Sequence, residues 1–383
     1  MNLQPKYTQK PIGSIEALAN LLNLTLYDLE KLVLSSNDDY IVANIIEKDD
    51  GSLRVTYKAK PKLRTALDSI KSRIFDKVEH PDYITAGQIG KSYVDNAKVH
   101  INSRMLMSED IRNFFPSISI KEVNRIFQHF FCFPPKVSNI LSELSTKEGF
   151  LVQGSPLSGE IANLVFYQNE PKLVKYCQEQ GLRYTRYYDD IHISSDVKDF
   201  YELIPHLKSE IYRIFGKSGV KPHRSKKKSH FSTCSSRLSV HDVTVNSQKT
   251  NPSQKRISQV RQLLFTYEHM VDSNLDITDI IQKYRSILGH INTLQQQGYS
   301  QAGKLKEQLL FITCKINESE AKKYARKYRK IKSKKELTQF SSKVSILKRI
   351  SGRVAMVINS EKKSANDRIK KKQARSSNII NIN

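Results

Sequence analysis

Asp189 and Asp190 stand side by side in TRYYDDIHISS, residues 185–195, between a tyrosine pair and an alternating Ile-His-Ile run. Strand alternation would send the two side chains to opposite faces, whereas a tight turn between two short strands would expose both. Adjacent carboxylates resist joint ionisation unless a cation neutralises them. Hard oxygen donors of this kind suit Mg²⁺, which takes one or two carboxylates together with substrate phosphates. An ordinary surface turn can carry the same dipeptide, so a further carboxylate is needed before the pair signifies a metal centre. Asp110 supplies it in SEDIRNFFPSIS, where an apolar strand ends in acidic residues and Phe115 follows. Carboxylates on adjacent strands can bridge two ions ~3.5–4 Å apart, one activating an attacking hydroxyl and the other steadying a leaving pyrophosphate. Between these acids, VQGSPLSGEIANLVF places a Gln-Gly-Ser-Pro turn at the opening of a helix. There Gly154 would let a nucleotide or template approach the backbone closely.

The elements that must position these groups follow from periodicity. Apolar residues at helical spacing over 13–35, with Ser14 as N-cap, predict one or two short helices. YIVANIIEKDDGSLRVTYKAKP predicts two strands joined at Asp49-Asp50-Gly51-Ser52, since Asp-Gly is a favoured hairpin turn, and Lys48 and Arg54 flank it. Helices are expected over KLRTALDSIKSRIFDKVE, IKEVNRIFQHFF, SGEIANLVFYQNEPKLVKYCQEQG and DFYELIPHLKSEIYRIFGKSG, the last closed by glycine. Hairpins between the helices favour an α+β class over a doubly wound sheet. From about residue 253 the chain reads as helices without proline, a separate subdomain.

The 383 residues predict two or three packed subdomains, and a formal net charge of +25 predicts a polyanionic partner, with nucleic acid foremost. Four scattered cysteines without a CxxC pair argue against a zinc site or disulfide framework, and no stretch has the length and apolarity of a membrane span or signal core. The expectation is a soluble, cytoplasmic protein with no membrane partner. The basic clusters AKKYARKYRKIKSKK and EKKSANDRIKKKQARSS are either solvated helix faces or nucleic-acid contacts. Tyr324 and Tyr328, interleaved with Lys327 and Arg329, bring contact with a nucleic-acid backbone, RNA for Lys327 and Arg329, level with the solvated-face reading.

The order of these pieces resembles the palm of a reverse transcriptase. DIRNFF is similar to the first catalytic motif, QGSPLSGEIANLVF to the Gln-Gly-x-Pro segment, YYDD to the Tyr-x-Asp-Asp box, GVKPHRSKK to the Gly…Lys segment and SVHDVTVN to the hairpin beyond it. With EKDDGSLRVTYKAKP at the fingers, the resemblance covers roughly residues 40 to 250. DNAKVH further resembles the Asn-Ala-x-x-His signature of bacterial retron-type enzymes, at Asn96, Ala97 and His100. Two features depart from that type: Val240-His241-Asp242 stands where Val-Thr-Gly is usual, and Tyr188 stands where alanine is frequent.

The resemblance implies a right-hand polymerase fold: fingers over 1–105, a palm over 106–250 of antiparallel sheet plus helices, and a helical thumb with a basic extension over 251–383. It implies that Asp110, Asp189 and Asp190, with the Ile111 carbonyl, hold two Mg²⁺ ions, and that Lys226 protonates pyrophosphate. Phe115 would exclude a ribose 2′-hydroxyl, Phe114 being the better core residue. Lys48 and Arg54 would clamp the dNTP triphosphate, Gln153 and Gly154 would meet nucleotide and template, and His100 with Asn96 would meet RNA, a buried histidine being the alternative. The implied partners are a cognate structured noncoding RNA, the RNA/DNA hybrid, dNTPs and an effector protein encoded nearby, in anti-phage defence. The alternatives are a defence-associated reverse transcriptase of another type with different priming, and a catalytically inactive RNA-binding scaffold.

Overall fold

The computed structural model describes residues 3–48, 51–196, 199–225, 229–273 and 275–380, with side chains described to residue 373. It divides at Thr250/Asn251 into two units.

The first unit opens with helices α1 (Ile15–Leu22) and α2 (Leu26–Asp39), N-capped by Ser14 and Thr25. Each cap oxygen accepts an otherwise orphaned backbone N–H. Strands β1 (Tyr40–Glu47) and β2 (Leu53–Ala59) then pair antiparallel. The expected turn residues Asp49 and Asp50 lie outside the described residues. Helix α3 (Pro61–Arg73) starts with proline at its first position, where the missing N–H is no loss. Helix α4 (Tyr93–Val99) carries a reciprocal capping box between Ser92 and Asp95.

Strand β3 (Met105–Asp110) is buried along its length and leads through the short helix α5 (Ile120–Arg125) to α6 (Pro135–Ser145). The single helical pattern read over 158–181 is two helices, α7 (Ser158–Leu164) and α8 (Glu170–Glu179). The break is the stretch 165–169, and Pro171 lies in the first turn of α8, where its missing N–H is no loss. Strands β4 (Arg183–Tyr187) and β5 (Asp190–Ser195) form the next hairpin, followed by α9 (Phe200–Lys217), strand β6 (His230–Thr233) and a hairpin of β7 (Ser239–Val240) with β8 (Val243–Thr244).

Four strands form one antiparallel sheet in the order β6-β3-β5-β4. Because side chains alternate, its two faces differ in chemistry. Met107, Tyr184, Ile191 and Ile193 enter the main apolar core. On the other face, Asp110, Ser108 and Leu106 stand opposite Asp190, His192 and Ser194, while Thr185 pairs with His192. Leu106 on that face packs with Ala97 of α4 and with Leu238, Val240, Val243 and Val245 around the β7–β8 hairpin. One layer is thus conventional core and the other is polar at its centre.

The second unit is helical: α10 (Gln254–Asp272), α11 (Ile277–Gln296), α12 (Ala302–Cys314), α13 (Glu318–Ala325), α14 (Lys334–Val344) and α15 (Gly352–Ile380). Apolar faces at helical spacing, such as Ile280, Tyr284, Ile287, Ile291 and Leu294 on α11, bury into a core of its own. Among the described residues no helix is long and apolar enough to cross a membrane.

Candidate active site

The two sequence readings of the Asp pair are decided by the hairpin. Tyr187 pairs directly with Asp190, so Tyr188 and Asp189 form a two-residue loop. Tyr188 has φ +53, a positive angle at the first loop residue, which suits the right-handed twist of the flanking strands. A bulky residue rarely takes that angle, and such outliers cluster at functional sites. Asp190 begins β5 directly opposite Asp110 at the end of β3, so both side chains leave the same face of the sheet and Asp189 sits on the adjoining turn. Asp110 is buried, whereas Asp189 and Asp190 are half-exposed.

Among the described residues no three His, Cys, Asp or Glu side chains are already gathered as a metal cage. Cross-strand carboxylates beside a third are still a donor set that fits hard cations, for which substrate oxygens complete the shell. Ile111 lies buried next to Asp110 and forms a bridge with Pro222, closed by Arg112 N–H to the Lys221 carbonyl and His223 N–H to the Asp110 carbonyl. Chain 221–223 thereby runs along the end of β3. Lys226, three residues on, lies outside the described residues.

The two adjacent phenylalanines separate as the sequence suggests. Phe114 is buried and stacks on Phe166 at 5.8 Å. Phe115 is half-buried and faces the Tyr188 ring at 5.8 Å. Lys48, at the base of the β1–β2 turn, donates to Asn113 Oδ1 at 3.0 Å, three residues beyond Asp110. Arg54 pairs with Ile46 and is exposed. A lysine and an arginine thus stand on the hairpin that reaches the loop after Asp110.

Gly154 has φ +111, and a Cβ there would collide with the carbonyl oxygen of Tyr57. Tyr57 N–H also donates to the Gln153 carbonyl at 2.8 Å. The backbone that needs a glycine at this position is therefore the protein's own strand β2, which corrects the expectation that Gly154 makes room for nucleotide or template. Gln153 itself is half-buried.

At Asn96 the expectation of RNA contact is corrected, and at His100 the alternative reading, a buried histidine, is the one the structure bears out. Both are completely buried. Asn96 Nδ2 donates to Thr85 Oγ1 at 2.7 Å and Asn96 Oδ1 accepts from Thr185, while the His100 ring nitrogens lie 2.7 Å from Ser194 Oγ and Thr185 Oγ1. Burial, aided by Arg183 and His241, pushes the His100 imidazole down to about 3, so it is neutral. The Asn-Ala-x-x-His stretch braces the β4–β5 hairpin from within and presents neither side chain to RNA.

Sequence reasoning missed His241. His241 and Asp242 form the two-residue loop of the β7–β8 hairpin, both with positive φ, the requirement that glycine usually meets at such a turn. His241 Nδ1 lies 3.6 Å from Asp190 Oδ2, and its ring lies 4.9 Å from Tyr187 and 5.0 Å from His192. The departure from Val-Thr-Gly was the available signal, but only the fold brings that turn to the carboxylates.

In the second unit, Lys327 is exposed, with its ammonium 4.3 Å from the Tyr324 ring centroid. Tyr324 and Tyr328 are buried against Phe340, so they are core residues rather than stacking platforms for bases. Arg329 is exposed yet forked onto Glu361 at 2.7–3.1 Å, an ion pair that RNA would have to displace.

The family described as "Reverse transcriptase (RNA-dependent DNA polymerase)" matches residues 46–265. The Retron Se72 reverse transcriptase of Salmonella heidelberg is 34% identical over 193 residues, 50% of this chain and 51% of the relative, so that match spans about half the relative's length. The Retron Ec48 reverse transcriptase of Escherichia coli is 25% identical over 315 residues, 79% of this chain and 76% of the relative. A solved telomerase from Candida albicans, in complex with a fragment of telomeric RNA, aligns with a TM-score of 0.37 and 9% identity over 75% of this chain and 65% of that one.

Proposed function

The chain belongs to the reverse transcriptase (RNA-dependent DNA polymerase) family and is of the retron type, and from that premise we propose that it copies part of a cognate structured noncoding RNA into DNA. Its α+β fold is the right-hand polymerase fold, with an antiparallel palm sheet, fingers and a helical thumb. The observation that carries the reading is the register of Asp110 against Asp190, with Asp189 on the adjoining turn.

Asp110, Asp189 and Asp190, with the Ile111 carbonyl, would hold Mg²⁺, which supplies activation of a hydroxyl nucleophile and neutralises charge on the departing pyrophosphate. Around that centre the chain's own groups orient the substrate. Phe115, backed by Tyr188, would stand against the sugar and exclude a 2′-hydroxyl. Lys48 and Arg54 would meet the triphosphate, the arginine as a planar fork and the lysine as a point charge. Gln153 would contact the incoming nucleotide, and Lys226 would give a proton to pyrophosphate. Lys327 and its basic neighbours would track the RNA backbone, a sequence-independent and salt-dependent attraction.

By resemblance to retron-type enzymes the proposal extends to a dedicated RNA template, priming from a 2′-hydroxyl of that RNA, an effector protein as partner and a role in anti-phage defence. To test it, the gene is expressed with its native upstream flank, and nucleic acid stripped from the purified complex is treated with RNase, DNase and a debranching enzyme. The expected product is a discrete DNA joined to RNA through a branch and absent from Asp189→Ala/Asp190→Ala. DNA without a branch would favour another priming route, and RNA alone in both samples would favour a scaffold.

A further inference from the structure

Beneath the carboxylate turn lies a charged group that the proposed chemistry leaves unused. Arg186 stands three residues before Asp189 in the sequence. It occupies the face of β4 that points away from Asp110 and Asp190, and its side chain is wholly buried. A guanidinium is among the costliest groups to remove from water unless every part of it is engaged. Its bonds therefore show what the fold uses it to hold.

Arg186 forks onto Glu170 at the start of α8, Nε to Oε1 at 2.5 Å and Nη2 to Oε2 at 3.0 Å. Nη2 also donates to the carbonyl of Asn163 in α7 at 2.8 Å, and Nη1 donates to the carbonyl of Tyr188 at 3.2 Å. Tyr184 OH completes the carboxylate by donating to Glu170 Oε1 at 2.8 Å, and the Phe166 ring lies 5.3 Å from the guanidinium carbon. Desolvation opposes the charge, but Glu170 and the hydrogen bonds outweigh it and hold the guanidinium above its ordinary value.

The Tyr188 carbonyl belongs to the peptide unit that leads into Asp189, so its direction sets the plane from which Asp189 departs. Tyr188 is also the residue at φ +53, a conformation that persists only where surroundings over-determine it. Its other end is fixed too. The phenol oxygen lies in a slot walled by Gly87 and Gly159, where an added Cβ would approach to 2.7 and 2.8 Å.

We propose that Arg186 is a positioning residue for the catalytic turn: by tying the Tyr188 carbonyl to α7 and α8, it fixes the peptide that orients Asp189 and Asp190. The inference rests on the reading of those aspartates as the metal-bearing centre. Lysine cannot reproduce it, because one ammonium lacks the fork that reaches Glu170, Asn163 and Tyr188 together.

The test compares Arg186→Lys and the double variant Arg186→Met/Glu170→Leu with wild type and Asp189→Asn. A buried ion pair replaced by apolar groups of similar volume often leaves stability unchanged or improved, so the double variant is expected to fold. The readouts are thermal midpoint, kcat per burst-titrated active site, dNTP KM on a primed template, and Mn²⁺ affinity from water-proton relaxation with a non-hydrolysable dNTP analogue. Removing a group that orients metal ligands is expected to lower kcat and Mn²⁺ affinity by roughly 10- to 100-fold. The KM should stay within about threefold, the pattern of an interaction that acts in the transition state. A folded double variant with wild-type kcat and Mn²⁺ affinity overturns the proposal, as does a loss in Arg186→Lys that merely tracks the folded fraction. If the double variant does not fold, Arg186→Lys decides alone. Should Asp189→Asn turn over like wild type, the reading of the carboxylates fails; should it be inert while both Arg186 variants match wild type, only this inference fails.

Discussion

Two stretches equally conspicuous in the sequence meet opposite fates on one hairpin. At the turn of β4 and β5, Asp189 and Asp190 are half-exposed beside Asp110. Within the same two strands, Thr185 and Ser194 close a fully buried network with Asn96 and His100. Residue type alone does not distinguish a ligand-facing polar group from a brace. The difference is burial: a network wholly buried and bonded within itself presents no group to a ligand, whereas carboxylates clustered at a half-exposed turn present acceptor oxygens to a cation. Substitution at the turn should therefore remove turnover and spare stability, and substitution in the network should do the reverse.

The largest expected effect is Asp189→Asn. Losing a metal-bearing charge is expected to lower kcat by about 10³-fold or more, since bound ions supply several kcal/mol of transition-state stabilisation. The thermal midpoint should move by no more than about 2 °C, the scale of a surface change below 1 kcal/mol. Differential scanning fluorimetry beside primer extension checks both halves, and an unfolded variant would break the comparison.

The phenylalanine pair sharpens the same contrast. Phe115→Ala is expected to relax discrimination against ribonucleotides by roughly 100-fold, the scale of a lost apolar contact against a substrate. Phe114→Ala should instead cost about 3–5 kcal/mol of stability, because it empties a buried site stacked on Phe166, and should leave discrimination unchanged. Equal discrimination in both variants would remove Phe115 from the sugar site.

At the opposite pole, His100→Ala leaves two buried hydroxyls without their imidazole partner and opens a cavity. The expected loss is about 2–4 kcal/mol. Turnover per folded molecule should stay within about threefold, the margin a change remote from the transition state allows. A fall in RNA affinity without a fall in thermal midpoint would restore the role in RNA contact that the sequence suggested.

The carboxylate hairpin was legible because strand alternation, a two-residue loop and an acidic strand end are local properties. So were the caps at Ser14 and the change to helices near residue 253, since N-cap chemistry and helical periodicity also act over a few residues. What escaped depended on distant pairing. Nothing near Arg186 marks it as buried; its partner Glu170 starts a helix 16 residues earlier. Gly154 signalled a close approach correctly in kind, but the approaching group was Tyr57, nearly a hundred residues upstream. Asn96 was misassigned, and His100 was left between two readings, because the sheet face they cover is itself polar, an arrangement that hydrophobic patterning does not reveal.

The buried histidine also makes a smaller prediction, in pH. His100 is neutral in the fold, its value lowered from 6.5 to about 3 by burial, with Arg183 and His241 acting in the same direction. His192, whose ring lies 6.0 Å away, is likewise lowered well below 6.5 by burial and by its neighbours His241 and His100. An unfolded chain takes up a proton on each near pH 6.5, whereas the native chain does not until far lower. Below 6.5 the unfolded state therefore binds more protons, so stability present at neutral pH is lost progressively as the pH falls toward about 3. Each such group contributes a slope of about 1.4 kcal/mol per pH unit. His100→Gln removes one of them, so between pH 6.5 and 5 wild type should lose about 2 kcal/mol more than the variant. Urea unfolding at pH 7, 6 and 5 measures the two slopes. Parallel lines would mean that the imidazole binds protons alike in the folded and unfolded chains, and the contrast between a half-exposed turn and a locked network would then lose its strongest member.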